Sequence, residues 1–331
     1  MGYKAEKDKI ERKIRVIKLV LLCVLLTALV GLCVFAAFCP PDTWKYHVKK
    51  PDVSAREEGE LRIHFLDVGQ GDCTLIELPD GKVALIDGGG WLESTSTSIL
   101  RYMNALDIDD IDYLVATHAD GDHVGGLARI VENKNVFNAY LPAVDATKAG
   151  SYYAKFYAAL MEENCEKHYS ERGISLSGET YSLTFVYPYA LISDEETGEA
   201  DANEFSSVIW LEYQEVGALF TGDAPKSTET ALMRDEGLGL LQPYGVELIG
   251  TEILKVSHHG SADGTSLEFL NYLQTETAVI SCGENNPYGH PSEEVRESLS
   301  LSGADVYRTD ERGNVMITIS SDGTYKVSWA R

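Results

Sequence analysis

The chain has 331 residues, 44% of them hydrophobic and 24% charged, which excludes a mainly disordered chain, a collagen-like repeat and a small disulfide scaffold. It carries 28 basic and 52 acidic residues; residues 1–50 hold 10 basic and 4 acidic ones, +6, which leaves −30 for the remainder of a chain at −24. The body therefore has no bulk basic field to attract a polyanion, and a phosphate-bearing substrate would need a local source of positive charge.

Residues 1–18 contain Lys4, Lys7, Lys9, Arg12, Lys13, Arg15 and Lys18, and Leu19 to Phe38 contains no charge. As a helix those 20 residues span about 30 Å, the thickness of the hydrocarbon core. The basic flank predicts a cytoplasmic N-terminus, with the body on the other side of the membrane. The run is too long for the apolar region of a cleaved signal, and no A-x-A site follows it, so the expectation is an uncleaved single-pass anchor. Cys39, Pro40 and Pro41 would end the helix, and Trp44 and Tyr46 would suit the outer interface. Residues 39–60, with Pro40, Pro41, Pro51 and a charged run ending at Glu60, read as a stem.

Residues 61–331 read as one α/β body. "LRIHFLDVG", "DCTLIEL" and "KVALIDGGG" are predicted strands, followed by a helix over Ser94 to Leu106 and a buried strand "IDYLVATH". Helices are predicted over Val124 to Val131 and Tyr152 to Lys167; the aromatic "YYAKFYAAL" reads as a packed helix rather than a base-stacking platform. "YSLTFVYP", "SSVIWLEY" and "GALFTGD" are strands, then comes a helix over Ser227 to Asp235 and the strand of "TEILKVSHHG". Helices over Leu267 to Leu273 and Ser292 to Leu301 alternate with the strands "TAVISCG" and "ADVYRT", and a hairpin around Asp322-Gly323 closes the chain. The order suggests two similar halves with sheets inside and helices outside. Six cysteines show no C-x-x-C spacing; they read as free or buried thiols, with a Cys73–Cys165 or Cys165–Cys282 bridge left open.

The sharpest chemical signal is "THADGDHVGG", which places His118, Asp120, Asp122 and His123 on a glycine-bearing loop at a strand end. Imidazole and carboxylate together suit zinc, manganese or iron. Asp223 ends the apolar run "ALFTGD", and His258 and His259 end "ILKVSHHGS" in the same way. Five of the eight histidines fall in such loops (His118, His123, His258, His259 and His290); His47, His64 and His168 read as surface or core residues.

With these stretches in hand, the chain resembles the metallo-β-lactamase fold superfamily, and more closely the hydrolase domain of ComEC-type DNA-uptake proteins. The matching segments are "FLDVGQGDCTLIE", "ALIDGG", "THADGDHVGGL", "NEFSSVIWLEY", "LFTGD", "ILKVSHHGS", "CGENNPYGHP" and "VYRTDERGNVMI", in order from Leu61 to Ile319. The resemblance implies a four-layer αββα sandwich, here preceded by one transmembrane helix, with two divalent metal ions at its edge. It also implies nuclease or phosphodiesterase activity through a two-metal-activated hydroxide. One apolar run cannot build the multi-span channel of those proteins, so DNA transport by this chain alone is not expected.

Carried over by position, His118 matches the first His of the H-x-H-x-D-H loop, and Asp120 stands where the second His usually is. Asp122 and His123 would serve the second metal, and Asp223 would bridge the two. His258 is taken as the last ligand in preference to His259. One superfamily histidine has no counterpart between His123 and Asp223; Asn203 and Ser206 of the "N-x-x-S" segment stand there instead. The resulting oxygen-rich set keeps zinc and manganese both open. Asp122 is expected to orient the attacking water, and His290 to protonate a leaving oxygen or bind phosphate. Asp67, Asp87, His259 and Ser261 are expected around the ligands or on the substrate side. The competing expectations are hydrolysis of another surface ester and a non-enzymatic binding protein with a degenerate site.

Overall fold

A computed structural model describes residues 2–38, 53, 56–145, 149–189 and 202–330. Cys39, Pro40, Pro41, Trp44, Tyr46, His47 and Pro51 of the expected stem lie outside the described residues. The chain forms two compact units, Met1–Lys49 and Lys50–Arg331.

The first unit holds one helix, α1 (Gly2–Phe38), in which the basic segment and the apolar run are continuous. Leu19, Val20, Leu21, Leu22, Leu25 and Leu29 are all exposed. Within α1, Lys9–Val34 is long and apolar enough to cross a membrane. Such a surface is unfavourable in water and favourable in hydrocarbon.

The second unit is a pair of sheets flanked by helices. Its elements up to the midpoint are β1 (Leu61–Phe65), β2 (Thr74–Glu77), β3 (Val83–Ile86), α2 (Glu93–Ala105), β4 (Asp110–Val115), α3 (Gly121–Val124), α4 (Leu127–Val131), β5 (Asn135–Leu141), α5 (Ser151–Glu162) and β6 (Glu166–Tyr169). Then come β7 (Ser175–Ser177), β8 (Tyr181–Tyr187), β9 (Val208–Tyr213), β10 (Val216–Phe220), α6 (Lys226–Gly237), β11 (Ile253–Lys255) and α7 (Leu267–Leu273). The unit finishes with β12 (Thr277–Ile280), α8 (Glu293–Ser302), β13 (Asp305–Arg308), α9 (Thr309–Arg312), β14 (Asn314–Ile319) and β15 (Tyr325–Ala330).

One sheet runs β15-β14-β1-β2-β3-β4-β5-β6 and the other β13-β12-β11-β10-β9-β8-β7. Alternation along the strands sorts the side chains. Leu61, Ile63 and Phe65 of β1 and Ile209, Leu211 and Tyr213 of β9 share the core between the sheets. Val208 and Trp210 point the other way, into a layer completed by Leu232, Phe269, Leu270, Leu273, Val295 and Leu299 of α6, α7 and α8. Ser266 and Ser292 cap α7 and α8, accepting the N–H groups of Phe269 (3.1 Å) and Val295 (3.3 Å). His64 is a core residue, bonded to Tyr102 Oη (2.9 Å) and Glu77 Oε1 (3.0 Å).

Two local expectations change. The helix predicted over Tyr152 to Lys167 stops at Glu162, and His168 lies on β6, in parallel register with Tyr140. The open edge of β5 supplies unpaired backbone groups that claim this segment, a demand that helical spacing does not reveal. The helix predicted over Val124 to Val131 is two short ones, broken at Gly125-Gly126. A Cβ on Gly125 would lie 2.5 Å from Trp91 N, so the chain can pass this close to the Gly88–Trp91 segment only as glycine. Cys73, Cys165 and Cys282 are free thiols, as their spacing suggested, and neither of the two considered bridges is formed.

The topology matters for function because β3–β4 and β10–β11–β12 are parallel. Their C-terminal ends lead into Asp87, His118, Asp223, His258-His259 and Ser281.

Candidate metal centre

Asp87 follows β3 with a positive φ of 60° and is 1% exposed. Its carboxylate accepts the Thr117 N–H (2.9 Å), the Thr117 hydroxyl (2.7 Å) and the His123 Nδ1–H (2.8 Å). With its proton given to Asp87, the Thr117 oxygen accepts from His118 Nδ1 (3.0 Å). One buried carboxylate therefore turns the Nε2 atoms of two histidines toward the same space. The third is set just after β12: His259 Nδ1 donates to the Ser281 carbonyl (2.9 Å).

The facing carboxylate is Asp223, held after β10 by its own N–H, which donates to Ser206 Oγ (3.0 Å). Ser206 Oγ also lies 3.5 Å from His118 Nδ1, and the Ser206 N–H donates to the Asn203 carbonyl (3.1 Å). Asn203 and Ser206 thus shape the turn behind Asp223 and His118. Asp223 oxygens lie 3.2 Å from His123 Nε2, 3.6 Å from His259 Nε2, 3.6 Å from His258 Nε2 and 3.9 Å from His118 Nε2. Asp122 Oδ2 stands 3.3 Å from His259 Nε2, and Asp120 Oδ2 3.9 Å from His118 Nε2.

These spacings fit a cation. Ligand atoms about 2.0–2.2 Å from a tetrahedral ion stand roughly 3.3–3.6 Å apart. Among the described residues, no hydrogen bond satisfies the buried His118 Nε2, His123 Nε2, His259 Nε2, Asp223 Oδ1 and Asp72 Oδ1. Five such atoms converging in one place is costly unless something positive sits among them. Asp72, His123, Asp223 and His259 alone present ligand atoms all within 4.8 Å of one another.

The electrostatics agree. Burial favours a neutral His259, but Asp223 and Asp72 outweigh it and push the ring up to about 9. Burial likewise disfavours a charged His123, yet Asp223 and Asp87 raise it well above its ordinary value. Asp223 is held well below the usual carboxylate range by His123 and His259 in spite of its burial. Anionic groups are in excess here, the local counterpart of the body's acidity.

Two participants carried no assignment from the sequence. Asp72 opens the segment "DCTLIEL", five residues after Asp67. It is buried behind His259, its Oδ1 3.5 Å from Nδ1. Lys255, the last residue of β11, forms a buried ion pair with Asp72 and donates to the Gly222 carbonyl (3.3 Å). Burial would raise the Asp72 carboxyl; the Lys255 ammonium and His259 instead hold it far below its usual range. The available signal was a lysine inside the apolar run "ILKV", where a half-buried strand would place it only with a partner.

The other expected residues divide. Asp67 is exposed, and its carboxylate accepts the Gly69 N–H (3.3 Å) within the turn, apart from the cluster. Ser261 pairs locally with Asp263 (3.4 Å). His258 and His259 both take positive φ, 48° and 55°, and this turn buries one ring while leaving the other 25% exposed. Such backbone conformations cost about 1–2 kcal/mol each, so the surrounding packing must impose them. His290 lies beside them, its ring 5.7 Å from His258 and 6.5 Å from His259.

A fold of two facing sheets with Asp and His side chains gathered at parallel strand ends defines a class, and the sequence comparison agrees. The metallo-beta-lactamase superfamily pattern matches residues 66–284, and the chain belongs to that superfamily. Among curated relatives, ComE operon protein 3 of Bacillus subtilis (strain 168) is 31% identical over 287 residues, 82% of this chain and 34% of that protein. Competence protein ComA of Neisseria gonorrhoeae is 27% identical over 284 residues, 83% of this chain and 36% of that protein. The chain thus spans about a third of the length of these relatives. A solved structure, the metallo-beta-lactamase fold protein YhfI from Bacillus subtilis, superposes with a TM-score of 0.49 at 9% identity, over 81% of this chain and 100% of that one.

Proposed function

We propose that this chain is a membrane-anchored, extracytoplasmic, metal-dependent phosphodiesterase that accepts DNA. The observation that carries the reading is the set of buried, unsatisfied imidazole and carboxylate atoms at the parallel strand ends. They fit two divalent cations, zinc or manganese. We assign Asp122, His123, Asp223 and His259 to one, and His118, Asp120, Asp223 and His258 to the other. His259 replaces His258 in the last-ligand role because its ring is buried and its Nδ1 is anchored to Ser281. When bound, the cations would supply a water nucleophile at neutral pH and charge to stabilise the transition state.

The chain's own groups do the rest. Asp87 and Ser281 keep the Nε2 lone pairs of His123 and His259 inward. Asp122, partly open to solvent, orients the attacking water. Burial, then His258 and His259, hold His290 below its ordinary pKa, so it meets a phosphate oxygen as a neutral N–H donor. A compact positive centre also resolves the charge conflict, since a phosphodiester could bind there despite the acidic body.

The test is metal analysis of the full chain in detergent, with cleavage of single- and double-stranded DNA, RNA and bis-p-nitrophenyl phosphate under added Mn²⁺ or Zn²⁺. Asp223→Ala should lose more bound metal than Asp120→Ala, because Asp223 faces four imidazole Nε2 atoms and Asp120 only His118. Equal metal content in wild type and Asp223→Ala would remove Asp223 from the centre. Hydrolysis of none of these substrates with any divalent metal would overturn the phosphodiesterase reading.

The placement of the body outside the cytoplasm is supported by the basic flank and the exposed apolar surface of α1. Protease added to intact cells should digest the body. Protection that ends only when the membrane is broken would reverse the orientation.

A further inference from the structure

Exposed aromatic rings are ordinary when scattered singly over a surface. Here two of them border the metal centre, each already stacked on a second ring. Trp91 is 54% exposed and lies on Tyr152, with centroids 5.2 Å apart and planes 16° apart. Lys155 Nζ sits 5.9 Å from the Tyr152 centroid. This stack is seated on the loop that carries the candidate ligands. A Cβ on Gly121, between Asp120 and Asp122, would come within 2.8 Å of Tyr152 and 3.3 Å of Trp91. Tyr288, 67% exposed, stacks on His290 with centroids 5.6 Å apart and planes 27° apart, and His290 adjoins His258 and His259. One stack therefore borders the Asp120–Asp122 loop and the other the His258–His259 turn. α5 is indeed packed through the buried Tyr153, Phe156 and Leu160, but its Tyr152 faces outward to support Trp91.

We propose that Trp91 and Tyr288 are stacking platforms for unpaired nucleobases on either side of the phosphate held at the metal centre. The substrate class this selects is single-stranded nucleic acid; the assignment rests on the phosphodiesterase reading of that centre. The acidity of the body argues for it. A body at −30 offers backbone phosphates little net attraction away from the cations, so uncharged contacts gain weight there. Stacking on aromatic faces is such a contact, and it tolerates any sequence. Each ring is pre-positioned by its partner, so little side-chain entropy is lost on binding. A duplex keeps its bases inside the helix and offers the platforms nothing.

The test is binding of a fluorescent, phosphorothioate-linked oligothymidylate to the full chain in detergent with Mn²⁺. The comparison strand has the same length, with abasic spacers replacing its nucleosides. Wild type should bind the base-bearing strand at least about 10-fold more tightly. Trp91→Ala and Tyr288→Ala should each weaken that binding by about 5–150-fold while leaving the abasic strand unchanged, and Trp91→Phe should retain most of the preference. Affinity should also fall only weakly with added salt, since stacking is an uncharged contact. Equal binding of both strands by wild type, or equal losses on both in the alanine variants, overturns the proposal. Cleavage of the ordinary strands, measured in parallel, separates the two readings. Base-selective binding without hydrolysis would sink the phosphodiesterase and keep the platforms; hydrolysis without base selectivity would do the reverse.

Discussion

Replacing His123 with alanine should lower kcat on a phosphodiester by about 10²–10³. The ring is fully buried, its Nδ1 bonded to Asp87 and its Nε2 3.2 Å from Asp223. The substitution would remove a ligand at the position we assign to one cation, and with it charge stabilisation that matters most in the transition state. The loss should therefore fall on kcat more than on KM. His168→Ala is the control. His168 lies on β6 with its ring stacked on Tyr140 at 4.9 Å, away from the cluster, and turnover should stay near wild type. Both variants should be measured on a DNA strand and on a simple phosphodiester with metal in excess. Wild-type turnover in His123→Ala, with activity abolished in His168→Ala, would end the ligand assignment.

The second large effect is on stability. Lys255→Met should destabilise the body by about 3–5 kcal/mol, the usual cost of leaving one member of a buried ion pair without its partner. For a domain of this size that is roughly 6–20 °C in Tm. The residue left behind is Asp72, buried and held ionised by that ammonium. The double variant Asp72→Leu/Lys255→Met removes both charges and should recover a large part of the loss, since well-packed apolar replacements of buried pairs are often neutral. Thermal unfolding of wild type, Lys255→Met, Asp72→Leu and the double variant, each stripped of metal, gives the cycle directly. A Lys255→Met protein that melts with wild type would show that the pair contributes nothing to the fold; a double variant no better than the single would show that the loss does not come from the stranded Asp72 carboxylate.

Much of the body was legible because its signals are local. Apolar runs such as "IDYLVATH", "ALFTGD" and "ILKVSHHGS" announce buried strands by composition and announce a site by ending in His or Asp. The strands that escaped notice were β5, β6 and β7. "NVFNAYL" mixes asparagine with aromatics, and "EKHY" and "SLS" are polar segments that pair because a neighbouring strand has an open edge. Their structure depends on a partner far along the chain, which periodicity does not report.

By itself the sequence determined the element order, the long apolar helix and the gathering of His118, Asp122, His123, Asp223 and the His258-His259 pair at strand ends. Each follows from burial of a local apolar run and from the polar loop that stops it. Only the tertiary structure decided which ring of the His258-His259 pair faces inward. Neighbouring residues of the same type carry the same local signal; the left-handed turn and the Ser281 carbonyl just after β12 distinguish them. It also decided that Asp72, rather than Asp67, stands behind the centre. Both lie in one turn, but only Asp72 meets the ammonium of Lys255, 183 positions later in the chain. A buried charge is tolerated where its counter-charge is, and that location is set by the packing of two sheets.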